Sequence, residues 1–243
     1  MNKRGQLTVF IVVAIVIVAG LLIYLSVRPG FKVSVDPEVV PIYNFVQNCV
    51  DKSAEDAIYY IGQYGGYYIV PERSSEEAIP YYFENGKSYL LSKVQLEFEL
   101  SKAMNDLLFF CYQNFASFPD FDINQGEIES KVIIQKEKIT FEAISPLSIN
   151  KGELTISLES FITEIPSNLL SIYEVASFIV EEQVKNKDAI CVNCLSEISL
   201  EKEIYISFFD HPNDEDTIIF ELIDEDKKIN GEDYRYYFAH RLS

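Results

Sequence analysis

Several residue types that carry common protein chemistries are scarce in this sequence. It contains no tryptophan, two histidines and four cysteines among 243 residues, and 20 basic side chains stand against 38 acidic ones. All 38 acids but only 17 of the bases follow Arg28, so the chain beyond that residue carries a net charge of −21. Nucleic-acid affinity depends on lysines and arginines that neutralise phosphates. The sequence therefore predicts no nucleic-acid partner.

Recognisable catalytic patterns are absent as well. The sequence has no G-x-S-x-G, no H-E-x-x-H and no P-loop. A Ser-His-Asp or Cys-His arrangement would need His211 or His240 in a cleft, and their positions in a turn and near the C-terminus predict exposed side chains. We therefore predict no catalytic, cofactor-binding or metal-binding residue and no cofactor, with an anchored enzyme of unknown reaction as a minor alternative.

Aromatic residues are plentiful, and the longest apolar run lies at the N-terminus. The 16 tyrosines and 17 phenylalanines predict a packed domain rather than a disordered chain. Residues 6–27 contain no charge, and about 20 apolar residues in a helix span the roughly 30 Å hydrocarbon core of a bilayer. Residues 6–27 are therefore predicted to be a transmembrane helix in contact with membrane lipid.

The charges that flank this segment predict its orientation. Lys3, Arg4 and the amino terminus outweigh Arg28, so residues 1–5 should remain in the cytoplasm and the C-terminal domain should lie outside. Proline and glycine mark residues 28–41 as a linker. The remainder, 42–243, is predicted to be one extracytoplasmic domain, or a helical and hairpin part at 42–120 followed by a sheet part at 126–243.

A second interpretation of the N-terminus comes from residues 3–8, Lys-Arg-Gly-Gln-Leu-Thr. They resemble the cleavage site of archaeal type IV pilin-like precursors, in which a peptidase cuts after the glycine. The resemblance implies processing between Gly5 and Gln6 and self-association through the apolar helix. Phe10 stands where pilins usually carry a glutamate.

Periodicity predicts the elements of the outer domain. Apolar residues recur at helical spacing over about 41–64, 92–115 and 167–186, and Ser92 with Gln95 forms a capping box. Residues 67–71 read as a short strand, and Asn85-Gly86 marks a hairpin. Alternation predicts further strands near 138–143, 154–158, 203–209, 217–223 and 234–240. This order predicts an α+β fold of about three helices with an antiparallel sheet.

The chain as a whole also resembles a known group of proteins. The apolar N-terminus, the helix that carries Cys49, the Gly65–Pro71 stretch, the tyrosine-rich hairpin and the helix that carries Cys111 resemble uncharacterised single-pass proteins of small-genome archaea. The resemblance implies an archaeal cell-envelope protein and supplies no activity.

The four cysteines predict disulfide bonds if the domain is translocated. Cys49 and Cys111 each lie on the apolar stripe of their helix, so they can pair if the stripes pack together, which leaves Cys191 and Cys194 to pair locally. Two alternatives for the C-x-x-C pair are a redox motif and half of a zinc site. Redox motifs usually open a helix, whereas this pair is predicted to follow a helix and precede a strand.

Acidic residues and tyrosines form two clusters along the sequence. Acidic residues gather near two predicted turns, and we expect them to be solvated charges, with calcium binding as the alternative. Eight tyrosines cluster between 59 and 89, where they either pack in strands or form an aromatic platform for sugars or peptides. The predicted function is a membrane-anchored envelope protein with a structural, adhesion or binding role, whose partners are an envelope protein, a glycan or a second copy. The alternative is a pilin-like subunit.

Overall fold

The computed structural model describes residues 36–187 and 189–242. The predicted membrane segment at 6–27, the processing site at Gly5 and Gln6 and most of the predicted linker lie outside these residues. Within the part described, no helix is both long and apolar enough to cross a bilayer. Residues 41–243 form one compact unit.

The described residues form four helices, and the sequence predicts the first three of them. We name them α1 (Val40–Gln63), α2 (Lys93–Tyr112, followed by a 3-10 turn at Gln113–Phe115), α3 (Leu169–Lys185) and α4 (Val192–Lys202). The predicted capping box is present, because the Ser92 hydroxyl accepts from the Gln95 N–H and the Gln95 side chain accepts from the Ser92 N–H. The sequence did not predict α4, because the segment after the C-x-x-C pair was expected to lead directly into a strand.

The predicted short strand at 67–71 is wrong. A turn at residues 64–66, in which Gly65 and Gly66 have positive φ angles of 53° and 78°, leads into an irregular segment with a bend at residues 68 and 69. The N–H of Tyr68 donates to the Glu99 carboxylate at 2.9 Å rather than to a neighbouring strand. The Glu99 side chain on α2 therefore accepts the backbone hydrogen bond that a neighbouring strand would accept in a sheet.

The first sheet is mixed. Its strands are β1 (Tyr81–Glu84), β2 (Lys87–Ser88), β7 (Tyr205–His211), β8 (Asp214–Ile229) and β9 (Glu232–Arg241), in the order β2-β1-β9-β8-β7. All its pairs are antiparallel as predicted, except that β1 runs parallel to β9. Parallel pairing requires a long connection, and the whole of residues 85–231 lies between these two strands. The hairpin near the start of the domain therefore belongs to the same sheet as its C-terminal strands.

The second sheet is antiparallel throughout. It contains β3 (Asp122–Gln125), β4 (Glu129–Ile134), β5 (Lys138–Lys151) and β6 (Leu154–Pro166). Strand β6 pairs along one edge of β5, while β4 and β3 share the other edge. Alternate residues of β5 are buried, in agreement with the predicted two-residue period; they are Ile139, Phe141, Ala143, Ser145, Leu147 and Ile149. The fold class is therefore α+β.

Helix α1 lies directly against β9. A Cβ atom at Gly62 would collide with the backbone carbonyl of Arg235 and lie 2.8 Å from the Tyr234 ring. A Cβ atom at Gly66 would collide in the same way with the Tyr236 hydroxyl. Beneath this contact, Tyr82, Phe238 and Phe220 stack with ring centroids 4.7 and 5.1 Å apart. The glycines at the end of α1 thus bring its backbone close to the aromatic core.

Candidate functional site

The clustered tyrosines divide into buried and surface groups. Tyr81 and Tyr82 lie in β1 and are buried, and Tyr82 shares a hydrogen bond of 2.6 Å with Tyr236. Tyr60 is 38% exposed, and Tyr64 and Tyr68 are half-buried beside it. Part of the cluster therefore packs in a strand, and another part lies at the surface.

The surface group is a compact arrangement of three rings. The Tyr60 ring centroid lies 4.8 Å from that of Tyr64 and 5.6 Å from that of Tyr68. Tyr60 lies in the last turn of α1 and Tyr64 directly follows the helix, a four-residue spacing that brings side chains together on one face. The Tyr68 hydroxyl donates to the Asp106 carboxylate of α2 at 2.8 Å. Burial, and then this hydrogen bond, raise the pKa of Tyr68 to about 12.

A groove of about 410 Å³ beside α2 is connected to this group through Asp106. Its lining residues are Asn105, Asp106, Phe109, Gln125, Gly126, Glu127 and Ile128. Asp106 belongs to both features, and Phe109 presents a ring that is 58% exposed. The Asn105 Oδ1 atom is shielded from solvent and has no hydrogen-bond partner within the described residues. We name Tyr60, Tyr64, Tyr68 and the residues of this groove the tyrosine groove.

The tyrosine groove combines flat apolar rings with acceptor groups. Aromatic side chains supply contact area, and their polar tips supply hydrogen bonds. Binding sites for small ligands generally join apolar walls to a few placed polar groups. The exposed Asp106 carboxylate can accept hydrogen bonds from hydroxyl or amide donors. A ligand with a flat apolar face and several hydroxyl groups would satisfy this arrangement.

A second cleft, of about 600 Å³, lies at the start of α3. It has mixed charge, and its lysines already have acidic partners in two cases: Lys202 with Glu174 at 2.7 Å and Lys227 with Asp226 at 3.1 Å. These pairs compete with any charged ligand that would enter.

Asp224, one of the acidic residues expected in the second of the two predicted turns, does not lie in a turn. It is fully buried in β8 at a bulge, where its Oδ1 accepts from the N–H groups of Asp226 and Lys227 at 3.0 and 3.2 Å. Its role is therefore to hold the bulge. Among residues 36–187 and 189–242, no group of three or more histidines, cysteines or acids is placed to hold a metal ion.

The prediction of exposed histidines is wrong for both residues. His211 is buried and bridges two loops, because its Nδ1 accepts from the Asn213 N–H and its Nε2 therefore donates to Glu77. This hydrogen bond lowers the pKa of the Glu77 carboxyl. His240 is fully buried, and burial lowers its pKa to about 3.

The missed burial of His240 has a visible sequence signal. Tyr234, Tyr236, Phe238 and His240 alternate along β9, and all four are buried. A two-residue period places them on one face of the strand. The same alternation that predicted the strand could therefore have predicted the buried histidine.

Both predicted disulfide bonds are present. The Cα atoms of Cys49 and Cys111 lie 5.7 Å apart and join α1 to α2, and those of Cys191 and Cys194 lie 5.3 Å apart. The predicted setting of the second pair is wrong, because Cys191 is the N-cap of α4 and the C-x-x-C pair opens this helix. The pair therefore has the helix-opening position that is usual for redox motifs.

Comparisons with protein-family models, curated proteins and solved structures find no match to this chain.

Proposed function

We propose that this chain is a membrane-anchored extracytoplasmic protein of the cell envelope, in which residues 6–27 are the anchor and the outer domain has a non-catalytic binding role. The observation that carries the proposal is the pair of disulfide bonds in the domain that follows the apolar segment. Disulfides persist in oxidising compartments and are rare in the cytosol. An uncharged segment of membrane-spanning length accounts for how the domain is retained after export.

The binding role is assigned to the tyrosine groove, and its ligand to a neutral glycan. Sugar rings offer an apolar face to aromatic side chains and hydroxyl groups to the Asp106 carboxylate. The net charge of −21 beyond Arg28 opposes anionic ligands through long-range repulsion. Anionic polysaccharides and anionic lipid headgroups are therefore disfavoured in comparison with neutral sugars.

The anchor predicts that the chain stays with membranes after a carbonate or high-salt wash. Replacing Val16 by arginine should impair insertion, because a central arginine costs about 2.5–3.5 kcal/mol on insertion scales. Fractionation of wild-type and Val16→Arg cells, followed by blotting, measures both results. Val16→Leu is the matched control. Release of the wild-type chain by the wash would contradict a spanning helix.

The orientation and the N-terminus are tested on the same membranes. Protease added to right-side-out vesicles should digest the domain, and protection until lysis would reverse the proposed orientation. Mass spectrometry of the mature N-terminus separates the two forms of the proposal. Met1 at the N-terminus supports the simple anchor, whereas Gln6 supports the pilin-like alternative, for which the Gly5-Gln6 pattern is the specific observation.

The binding role predicts measurable affinity for neutral oligosaccharides. Isothermal titration of the domain with glucose-, mannose- and N-acetylglucosamine-based oligosaccharides should detect at least one ligand. Tyr60→Ala and Asp106→Asn should each weaken it by about tenfold, or about 1.4 kcal/mol. Tyr205→Ala is the matched control, because Tyr205 is an exposed tyrosine on β7 outside the tyrosine groove. Binding that all three variants leave unchanged would place the ligand elsewhere, and no binding by any of these sugars would contradict the glycan assignment.

A further inference from the structure

The second disulfide occupies a chemically distinctive position. Cys191 is the N-cap of α4, an eleven-residue helix, and its carbonyl accepts the Leu195 N–H at 3.1 Å. Leu195 is buried and fixes the first turn of the helix on the domain. Cys194 lies in that same turn, so both sulfurs sit at the helix N-terminus.

A helix N-terminus favours a thiolate over a disulfide sulfur. Its first-turn N–H groups have no intrahelical acceptors, and the helix dipole places partial positive charge at this end. The Cys191 side chain makes no capping hydrogen bond in the disulfide. Reduction would convert it into an anion at the position where an N-cap acceptor belongs. Thiols at helix N-termini in C-x-x-C pairs have lowered pKa values for this reason.

The two disulfides differ in access. In the first disulfide Cys49 is buried and Cys111 is half-buried, whereas in the second Cys191 and Cys194 are both half-buried. Val192, which lies between the paired cysteines, is 54% exposed, and Leu200 on the same helix is 82% exposed. Exposed apolar side chains next to a disulfide allow a polypeptide to dock against it.

Buried side chains support the loop that leads into the pair. Gln183 of α3 is 3% exposed and donates its amide hydrogens to the carbonyls of Asn186, Lys187 and Ala189 at 2.8, 3.2 and 3.4 Å. Its Oε1 therefore accepts from the His240 Nδ1–H at 3.3 Å. The segment before Cys191 is thus tied to the domain core, and opening the disulfide need not unfold it.

We propose that Cys191–Cys194 is an exchangeable disulfide that oxidises a cysteine pair in another polypeptide. A thiolate of the partner attacks the Cys191 sulfur, a mixed disulfide forms, and Cys194 leaves as a thiolate. The partner's second thiolate then attacks the partner sulfur of the mixed disulfide and releases Cys191. Two electrons pass from the partner dithiol to this chain, the partner gains the disulfide, and both released thiolates equilibrate with solvent protons.

The stabilised Cys191 thiolate sets the direction of this exchange. A thiolate of low pKa is the better leaving group, and stabilising the reduced form makes a disulfide a stronger oxidant. The identity of the donor, a newly exported protein that still has reduced cysteines, rests on the proposed extracytoplasmic location. The thiol–disulfide exchange itself does not depend on that location, because it is measured on purified protein.

The first experiment compares the two disulfides within one molecule. The full-length chain in detergent is equilibrated with glutathione buffers of increasing reducing strength, alkylated and analysed by peptide mass spectrometry. Cys191–Cys194 should open at a ratio of reduced to oxidised glutathione about tenfold or more below that needed for Cys49–Cys111. Opening of both pairs together, or only with loss of the circular dichroism signal, would overturn the proposal.

The second experiment measures the activity on a synthetic peptide with two reduced cysteines. The oxidised chain should convert it to the form lighter by two hydrogens, about tenfold faster than the Cys191→Ser, Cys194→Ser double variant, which retains Cys49–Cys111. Asn193→Glu should slow the reaction severalfold and Asn193→Gln should not, because only the carboxylate opposes a thiolate at the helix N-terminus. Equal rates for the chain and the double variant would refute the activity even if the protein proves to be a membrane anchor.

Discussion

Replacing Cys49 and Cys111 by alanine is expected to lower the free energy of unfolding of the domain by about 4 kcal/mol, the chain-entropy value for a loop of this length. The two residues are 62 positions apart, so the bond restricts a large part of the unfolded chain. Alanine is the suitable replacement because Cys49 is buried and a serine hydroxyl there would need a partner. Urea denaturation of residues 36–243, followed by tyrosine fluorescence, measures the change.

The second disulfide provides the internal comparison. Cys191 and Cys194 are three positions apart, and a loop this short gives about 2 kcal/mol in the same estimate. The Cys191→Ala, Cys194→Ala variant should therefore unfold at a clearly higher urea concentration than the Cys49→Ala, Cys111→Ala variant. The reverse order would mean that α1 and α2 are held together mainly by packing, and that the start of α4 depends on its disulfide.

Local patterns were sufficient to predict the features that local interactions create. The apolar stripe of α1, the Ser92–Gln95 capping box and the Asn85-Gly86 hairpin all depend on residues close in sequence, and all three are present. The Cys49–Cys111 pairing followed from two such stripes. Patterns of this kind report which face of an element is apolar, and facing elements then have few ways to pack.

Features that depend on distant partners were not predicted. The parallel pairing of β1 with β9 joins residues about 160 positions apart, and no short pattern specifies it. Helix α4 buries only Leu195 among its eleven residues, so it has almost no apolar stripe to detect. The C-x-x-C pair was consequently placed before a strand, and its relation to a helix N-terminus was missed.

The tyrosine groove also combines features that depend on nearby residues with features that depend on distant ones. The four-residue spacing of Tyr60 and Tyr64 on a predicted helix places them together. Their contact with Tyr68, and the Tyr68 hydrogen bond to Asp106, depend on how the 65–71 segment crosses α2. That crossing depends on the Glu99 carboxylate, which captures the Tyr68 N–H. A tyrosine-rich surface was therefore predictable, whereas the groove beside it was not.

Acidification is expected to destabilise the domain through His240. Burial among Phe83, Phe220 and Phe238 disfavours its charged form and lowers its pKa to about 3, whereas an unfolded histidine titrates near about 6.5. Below the unfolded pKa, the unfolded chain binds a proton that the folded chain excludes. Stability is therefore lost as the pH falls, at up to about 1.4 kcal/mol per unit between these two pKa values.

The variant His240→Asn isolates this contribution from that of the many surface carboxylates. Asparagine retains an N–H donor for the Gln183 Oε1 and does not titrate in this range. The variant should be less stable than the wild type at pH 7.5, because the smaller side chain leaves space among the aromatic rings. The difference between the two proteins should then narrow by about 2 kcal/mol between pH 7.5 and pH 5, since only the wild type loses stability through residue 240. Urea denaturation at a series of pH values measures this difference directly. A constant difference across the range would show that His240 gains its proton without unfolding, and would contradict its position in the closed aromatic core.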